Sequence, residues 1–343
     1  MDPITREEKL MAGEQLEPIT RKEYFLAKAA GMDVETPEPI TREEMFLSMI
    51  SGGGTGGSGG GGSGGGDDEW FNDGDTHIWI TLQDGRTSPM LGVCPKGTVT
   101  VDWGDGTEPD TLTGTSTSTV QWTPNHNYAE PGNYIIRLSV DGEMGFKGSN
   151  PYPCILRYGS LSDSRNYVYQ NSVTKIEMGI GVTSIGERAF YCCYSLASIT
   201  IPVSVTSIGS YAFSACYSLT SITIPDSVTS IGESAFSGSY SLASITIPDS
   251  VTIISENMFG RCYSLASIVI PDGVTSIGGK AFNECYGIRY YDFSSHTAAP
   301  ALSATNAFTK IPSDCEIRVP AALYDEWIAA TNWATYASQI VAV

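Results

Sequence analysis

The chain has 343 residues, with 38 acidic against 19 basic side chains and a formal net charge of −19 at pH 7. This acidity argues against a nucleic-acid partner, whose phosphates would be repelled, and against docking to an anionic membrane surface. The sequence has no apolar run of about 18 residues or more, so it predicts no membrane-spanning helix. A chain of this length is expected to form two or three domains.

Residues 1–51 carry a short repeat, Pro-Ile-Thr-Arg, at 3–6, 18–21 and 39–42. Thr20 is followed three residues later by Glu23, as in the capping box that begins a helix. We expect amphipathic helices that are too short to be stable alone and that become ordered by docking on a partner. Their apolar side chains form a candidate anchor, namely Ile19, Tyr24, Phe25, Leu26, Ile40, Met45, Phe46 and Leu47.

Residues 52–66 contain only Gly, Ser and Thr. This composition predicts a flexible linker with a root-mean-square span of roughly 20 Å. Engineered linkers have the same composition, so the segment is either a native tether or an introduced one.

Residues 67–142 alternate apolar and polar side chains and are interrupted by Gly, Pro and Asn turn signals. The pattern predicts a small β-sandwich. The run from Val101 to Thr107, with Trp103-Gly104-Asp105-Gly106, and the later His126-Asn127-Tyr128 resemble the polycystic-kidney-disease (PKD) immunoglobulin-like domain. That resemblance implies a spacer or adhesive module. We expect Asp105 to stabilise a turn, and contact with a calcium ion is the alternative.

A 23-residue unit then recurs over residues 181–293, which predicts a stacked solenoid because a single unit cannot bury its own apolar face. Each unit contains Leu-x-x-Ile-x-Ile, expected as a strand, and Ala-Phe-x-x-Cys, expected as one turn of helix on the opposite wall. The unit resembles the BspA-type leucine-rich repeat. Its most regular position is a phenylalanine: Phe190, Phe213, Phe236, Phe259 and Phe282.

The ends of the solenoid are expected to be capped. Residues 143–180 are assigned to an irregular N-terminal cap and a partial repeat. Residues 294–343 are assigned to a C-terminal helical cap, with a strand near Ile317 and a helix over 324–340. The aromatic and apolar side chains expected to seal this end are Leu323, Trp327, Trp333 and Tyr336.

Four of the eight cysteines occupy one slot of the repeat, three residues after the phenylalanine: Cys193, Cys216, Cys262 and Cys285, with Ser239 in the remaining unit. We interpret them as buried thiols that act as small hydrophobic groups. A metal site would need convergent ligands at a recognised spacing, so no metal site and no disulfide framework are predicted.

A tyrosine also recurs once per unit, at Tyr194, Tyr217, Tyr240, Tyr263 and Tyr286. At the strand spacing of about 4.8 Å these rings would form a row of roughly 19 Å, which we name the tyrosine row. Exposed tyrosines suit sugar rings or protein surfaces, so the row is the predicted ligand-binding site. The alternative is that the rings stack on one another and cover the phenylalanine column. No catalytic constellation or cofactor motif is recognised, which predicts a non-enzymatic protein.

The segment Pro18-Ile19-Thr20-Arg21 through Gly31 resembles the attachment region of virion proteins from phages of gut bacteria. It implies a non-enzymatic fibre or decoration protein, made in the host cytoplasm without a signal peptide and carried on the virion surface. Residues 1–50 would bind capsid or tail, and the other modules would bind host-surface or mucus glycans or proteins. The alternative is a bacterial cell-surface leucine-rich-repeat adhesin. The sequence leaves open whether the chain forms a homo-oligomer.

Overall fold

The computed structural model describes residues 74–83, 87–148, 155–158 and 171–343. The predicted anchor helices and the linker lie outside these residues. The described residues all belong to one compact unit, Trp70–Val343. Within it, no described helix is long and apolar enough to cross a membrane.

The first part of this unit is a β-structure that we name the N-terminal β module. Its described strands are β1 (Thr76–Leu82), β2 (Pro89–Asp102), β3 (Asp110–Thr115), β4 (Gln121–Trp122), β5 (Gly132–Phe146) and β6 (Leu156–Tyr158). The second half of β2 pairs with β3 and β5, and its first half pairs with β4 and β6. Alternate side chains such as Ile78, Ile80 and Leu82 are buried. The expected domain boundary at residue 142 falls inside β5.

Beyond the module, the chain forms a leucine-rich-repeat solenoid of about seven coils, which confirms the repeat-based prediction. Its short strands form two walls, and the first six coils contribute one strand to each wall whereas the seventh contributes to the first wall alone. The first wall contains β7 (Val173–Glu177), β9 (Ser198–Thr200), β11 (Ser221–Thr223), β13 (Ser244–Thr246), β15 (Ser267–Val269), β17 (Tyr290–Asp292) and β19 (Glu316–Val319). The second wall contains β8 (Val182–Ile185), β10 (Ser207–Ile208), β12 (Ser230–Ile231), β14 (Ile253–Ile254), β16 (Ser276–Ile277) and β18 (Ala301–Leu302).

A column of phenylalanine rings runs through the core. Phe190, the first of the repeated phenylalanines, is preceded by Phe146 from β5, and Phe282, the last, is followed by Phe308. Successive ring centroids lie between 5.3 and 5.6 Å apart, and each ring is buried. The column therefore extends one ring beyond the regular repeats at each end.

The segment Ala-Phe-x-x-Cys is not helical, and that prediction was wrong. Two residues of each regular coil, the one before the alanine and the one two after the phenylalanine, have positive φ, such as Tyr211 at 59° and Ala215 at 60°. A right-handed helix cannot pass through these left-handed residues. Their amides instead bond to the next coil, where Tyr211 N donates to Glu233 O at 2.9 Å and Ala215 N to Ser237 O at 2.8 Å.

The N-terminal β module closes the solenoid. β1 pairs antiparallel with β7 of the first wall, β5 pairs parallel with β8 of the second wall, and β1 and β5 pair with each other. The result is one continuous sheet in the order β12-β10-β8-β5-β1-β7-β9-β11-β13. The N-terminal edges of both walls are thereby paired rather than left exposed.

The C-terminal cap contains a shorter helix than expected. Helix α1 (Tyr324–Ala329) is preceded by a 3₁₀ turn, Ala321–Leu323, and followed by a second one, Trp333–Tyr336. The predicted helix over 324–340 was wrong beyond Ala329, because Asn332 has a φ of 68° and the chain then forms β20 (Ile340–Ala342), parallel to β19.

The predicted packing of aromatic side chains over the C-terminal end of the solenoid is confirmed. Trp327, Trp333 and Tyr336 are buried, and Leu323 packs against them partly buried. The indole of Trp333 donates to Pro300 O at 2.7 Å, and the hydroxyl of Tyr336 donates to Thr305 O at 2.6 Å.

Candidate functional site

The outer face of the first wall presents two registered rows of side chains. In each regular strand the central isoleucine, for example Ile222, is buried, so the residues on either side of it point outward. The first row is Trp79, Lys175, Ser198, Ser221, Ser244, Ser267, Tyr290 and Glu316. The second row is Glu177, Thr200, Thr223, Thr246, Val269, Asp292 and Arg318.

The middle of this face is an uncharged strip over four coils, from Ser198 to Val269, which we name the hydroxyl strip. Strand β11 has a parallel neighbour on each side, β9 and β13, so its backbone groups are used within the sheet. A ligand on the strip therefore contacts short hydroxyl side chains. A groove of about 520 Å³ is lined by Ser244, Thr246 and Ser267 and by the carboxylates Asp249 and Asp272.

An aromatic–cation pair stands at the N-terminal end of the strip. The Nζ atom of Lys175 lies 4.4 Å from the centroid of a Trp79 ring, and it also forms a 2.8 Å ion pair with Glu177. Trp79 belongs to β1, so the N-terminal β module supplies one side of this pair. Because Glu177 neutralises Lys175, this end carries no excess positive charge.

A second aromatic–cation pair stands at the C-terminal end. The guanidinium carbon of Arg318 lies 3.8 Å from the centroid of Tyr290, and the Nε atom of Arg318 donates to Glu316 at 2.8 Å. The hydroxyl strip is thus framed by one aromatic–cation pair at each end. Sequence analysis missed both pairs, because Trp79 lies outside the repeats and Tyr290 and Arg318 lie where the repeat drifts.

The first four tyrosines of the tyrosine row stack face to face, and the ring of Tyr286 is tilted by 31° against that of Tyr263. Ring centroids are 4.6 Å apart for Tyr194 and Tyr217 and for Tyr217 and Tyr240, 4.7 Å apart for Tyr240 and Tyr263, and 5.3 Å apart for Tyr263 and Tyr286. Tyr263 is 8% exposed and the other four are half-buried. Burial raises the pKa of Tyr263 well above its ordinary value, so its phenol is neutral. The stacking covers the inner ring faces, so a ligand would meet ring edges here.

The cysteine slot is buried, and the seven described cysteines form no disulfide. Burial raises the pKa of Cys285 to about 12, so this thiol stays protonated and is neither a nucleophile nor a metal ligand at neutral pH. It donates to Phe259 O at 3.1 Å. Among the described residues, no group of three His, Cys, Asp or Glu side chains is placed to hold a metal ion.

Asp105 stabilises a turn in the N-terminal β module. Its Oδ1 atom accepts hydrogen bonds from Thr107 N at 3.2 Å and Thr107 Oγ1 at 2.7 Å, and its Oδ2 atom lies 2.8 Å from His126 Nε2. Burial alone would raise the pKa of Asp105, but these contacts outweigh it and lower the pKa. His126 in turn stacks on buried Trp103 at 4.5 Å, and Tyr128 donates to Trp103 O at 2.9 Å. The carboxylate is therefore engaged within the module.

Comparison with known proteins identifies the repeats. Residues 163–313 match the family model described as "BspA type Leucine rich repeat region", in six copies. Among solved structures, a Treponema pallidum leucine-rich repeat protein is 24% identical, over 51% of this chain and 80% of that chain, with a TM-score of 0.39. A Bacteroides ovatus leucine-rich repeat protein is 25% identical, over 59% of this chain and 56% of that chain, with a TM-score of 0.35.

A leucine-rich cell surface protein from Faecalibacterium prausnitzii is 23% identical, over 51% of this chain and 65% of that chain, with a TM-score of 0.28. No curated protein matches the chain. Because the three TM-scores are below 0.5, the assignment of the repeats depends on the family match and on the coil geometry.

Proposed function

We propose that this chain, whose residues 163–313 are a BspA-type leucine-rich-repeat region, is a non-enzymatic surface-binding protein of the bacterial adhesin class. The outer face of the first wall is its binding surface for a host-surface or mucus glycan or protein. The observation that carries this proposal is the hydroxyl strip framed by the Trp79–Lys175 and Tyr290–Arg318 pairs.

The chemistry of the face supports recognition rather than catalysis. From Ser198 to Ser267 the strip spans three strand spacings, about 14 Å, of hydroxyl groups that can both donate and accept hydrogen bonds. Lys175 and Arg318 are each held by a glutamate, so binding does not depend on free cations. We therefore expect an affinity that changes little with ionic strength.

The tyrosine row remains a second candidate for the binding surface. Its support is its regularity and the half-exposure of four of its rings. Against it, the stack covers the ring faces on which a sugar would pack, since each inner ring has a neighbour on both sides. A ligand on the row would be bound through the edges and hydroxyls alone.

Two further predictions concern the parts before the repeats. Carriage on a phage virion depends on residues 1–51, which lie outside the described residues, and it stays a prediction. The PKD resemblance of the N-terminal β module also stays a prediction, supported by the contacts of Trp103 with His126 and Tyr128.

The binding surface is tested with a matched pair of arginine substitutions in the full chain. Ser221→Arg places a long cation in the hydroxyl strip, and Ser230→Arg places the same side chain on the second wall; both serines are exposed strand residues of neighbouring segments. With immobilised mucin as the probe, Ser221→Arg should weaken binding at least about tenfold, which corresponds to 1.4 kcal/mol. Ser230→Arg should bind as the unsubstituted chain does. Equal effects of the two substitutions would overturn the proposal.

A further inference from the structure

We infer that Tyr290 is the aromatic platform of a sugar subsite at the C-terminal end of the hydroxyl strip, and that the ligand is a neutral polysaccharide built from pyranose rings. This inference rests on the proposed function and names the ligand class of the same face. It is argued from what covers each side of the Tyr290 ring, from the hydroxyl and carboxylate groups near it, and from the charge of the outer face.

The two sides of the Tyr290 ring differ. Tyr290 is paired with Glu316 on one side and with Ser267 on the other. Arg318, from the strand that carries Glu316, lies 3.8 Å from the ring centroid and is fixed by its hydrogen bond to Glu316. On the other side Ser267 is too short to cover a phenol ring. The ring is thus supported by Arg318 on the β19 side and has only the short Ser267 as its strand partner on the β15 side.

The groove lies one strand away from Tyr290, because Ser267, its partner in β15, is one of the groove's lining residues. Ser244, Thr246 and Ser295 add hydroxyl groups, and Asp272 adds a carboxylate. Tyrosine rings present an apolar face, and the face of a pyranose ring that carries only C–H groups packs well against such a surface. The sugar hydroxyls at the ring edge are then directed to hydroxyl and carboxylate oxygens, which accept their hydrogen bonds.

The charge of the face selects against anionic polymers. Within the described part of the chain, Asp249, Asp272 and Asp292 form no ion pair, whereas Lys175 and Arg318 are each paired with a glutamate. A uronate, sulfate or phosphate group entering the groove would meet the carboxylates of Asp249 and Asp272, which line it.

The repeat distance of the wall suits a polymer. Parallel strands are spaced by about 4.8 Å, which is comparable to the width of one sugar ring. Three successive coils therefore offer the same serine–threonine pair to successive residues of a chain, and the fourth offers Ser267 beside Val269. Tyr290 interrupts this uniform strip at one position and fixes where a sugar chain begins or ends.

The test uses the full chain with soluble polymers as probes: a neutral mannan, a neutral β-glucan, and the anionic polymer alginate. At least one neutral polymer should bind, and alginate should bind more weakly than that polymer. Tyr290→Ala should weaken the neutral polymer at least about tenfold, which corresponds to 1.4 kcal/mol, whereas Tyr290→Phe, which keeps the ring, should retain binding.

A second variant is needed because a loss of folding in Tyr290→Ala would also reduce binding. Ser267→Leu leaves the tyrosine in place and covers its groove side, so it should also abolish binding of the neutral polymer. Unchanged binding in both Tyr290→Ala and Ser267→Leu would overturn the inference, as would tighter binding of alginate than of either neutral polymer. Equal binding to intact mucin and to mucin stripped of its glycans would overturn it in favour of a protein ligand.

These outcomes separate the inference from the proposed function. If Ser221→Arg abolishes binding to mucin while Tyr290→Ala and Ser267→Leu do not, the sugar subsite is wrong and the binding face stands. If Ser221→Arg and Ser230→Arg behave alike, the binding face itself is wrong.

Discussion

The thiol of Cys262 donates a hydrogen bond to the carbonyl oxygen of Phe236 in the preceding coil, at a distance of 3.3 Å. The same bond joins Cys216 to Phe190 at 3.2 Å. Where the slot holds serine, the hydroxyl of Ser239 donates to Phe213 O at 2.9 Å. Each of these residues is short and donates the same bond, so we expect the position to favour a hydrogen-bond donor over a purely hydrophobic side chain.

Substitutions at Ser239 test this expectation. Ser239→Cys should change the free energy of unfolding little, because neighbouring coils use cysteine in the same place. Ser239→Ala removes the donor and should destabilise the chain by about 1 kcal/mol. Chemical denaturation of the two variants side by side gives the comparison, and alanine as stable as cysteine would show that the bond is incidental.

Phe236 lies in the middle of the phenylalanine column, with Phe213 at 5.5 Å and Phe259 at 5.6 Å. Phe236→Ala should cost about 3–5 kcal/mol through lost burial and an internal cavity. The matched control is Tyr290→Ala, a ring on the outer face, which should cost much less. A near-zero effect of Phe236→Ala in chemical denaturation would contradict the core assignment.

A substitution of Tyr240 tests whether the tyrosine row stabilises the fold or binds the ligand. Tyr240→Ser removes two stacking contacts, at 4.6 and 4.7 Å, each worth about 0.5–1.5 kcal/mol beyond the area that the ring buries. We expect lower stability and unchanged binding to mucin. Unchanged stability with a tenfold loss of binding would make the row, rather than the hydroxyl strip, the ligand surface.

His296 makes the stability of the C-terminal cap depend on pH. It is 3% exposed and packs against Phe293 and Trp327, and burial lowers its pKa below the ordinary value. An unfolded histidine takes up a proton near about pH 6.5, before the folded one does, so the unfolded state binds more protons and stability falls as the pH drops.

The unfolding free energy should therefore decrease from about pH 7.5 to about pH 5.5, and the decrease should be smaller in His296→Leu. The carboxylate of Glu284 does not interfere in this window. Burial alone would raise its pKa, but Lys310 and Arg261 outweigh burial and lower it, so its contribution is lost only at more acid pH. An identical pH dependence in both proteins, measured by urea denaturation, would contradict this role of His296.

The sequence was most informative where one residue type recurs at a fixed interval. The positions of Phe190, Ile222 and Ser244 follow from the 23-residue period, because stacking repeats every buried and every outward position. It was least informative where backbone conformation decides. The spacing of Ala212, Phe213 and Cys216 suits a helix, yet the positive φ of Tyr211 and Ala215 excludes one. Nothing in residue types such as Tyr and Ala indicates a left-handed conformation.

The candidate site, too, could be predicted from the sequence only in part. The hydroxyl strip could be identified from the repeat alone, since serine and threonine flank each buried isoleucine. The aromatic–cation pairs could not, because they depend on pairings between distant segments. Trp79 meets Lys175 only because β1 pairs with β7, and Arg318 meets Tyr290 only because the irregular coils keep the register of the first wall.

The location of the ligand is measured most directly with an environment-sensitive fluorophore on a single introduced cysteine. Ser244→Cys places it in the groove of the hydroxyl strip, and Ser230→Cys places it on the second wall. The seven described cysteines are buried, which favours labelling of the introduced thiol. Titration with mucin should give a saturable change in emission at position 244 and none at position 230. A change at position 230 without one at position 244 would contradict the binding face.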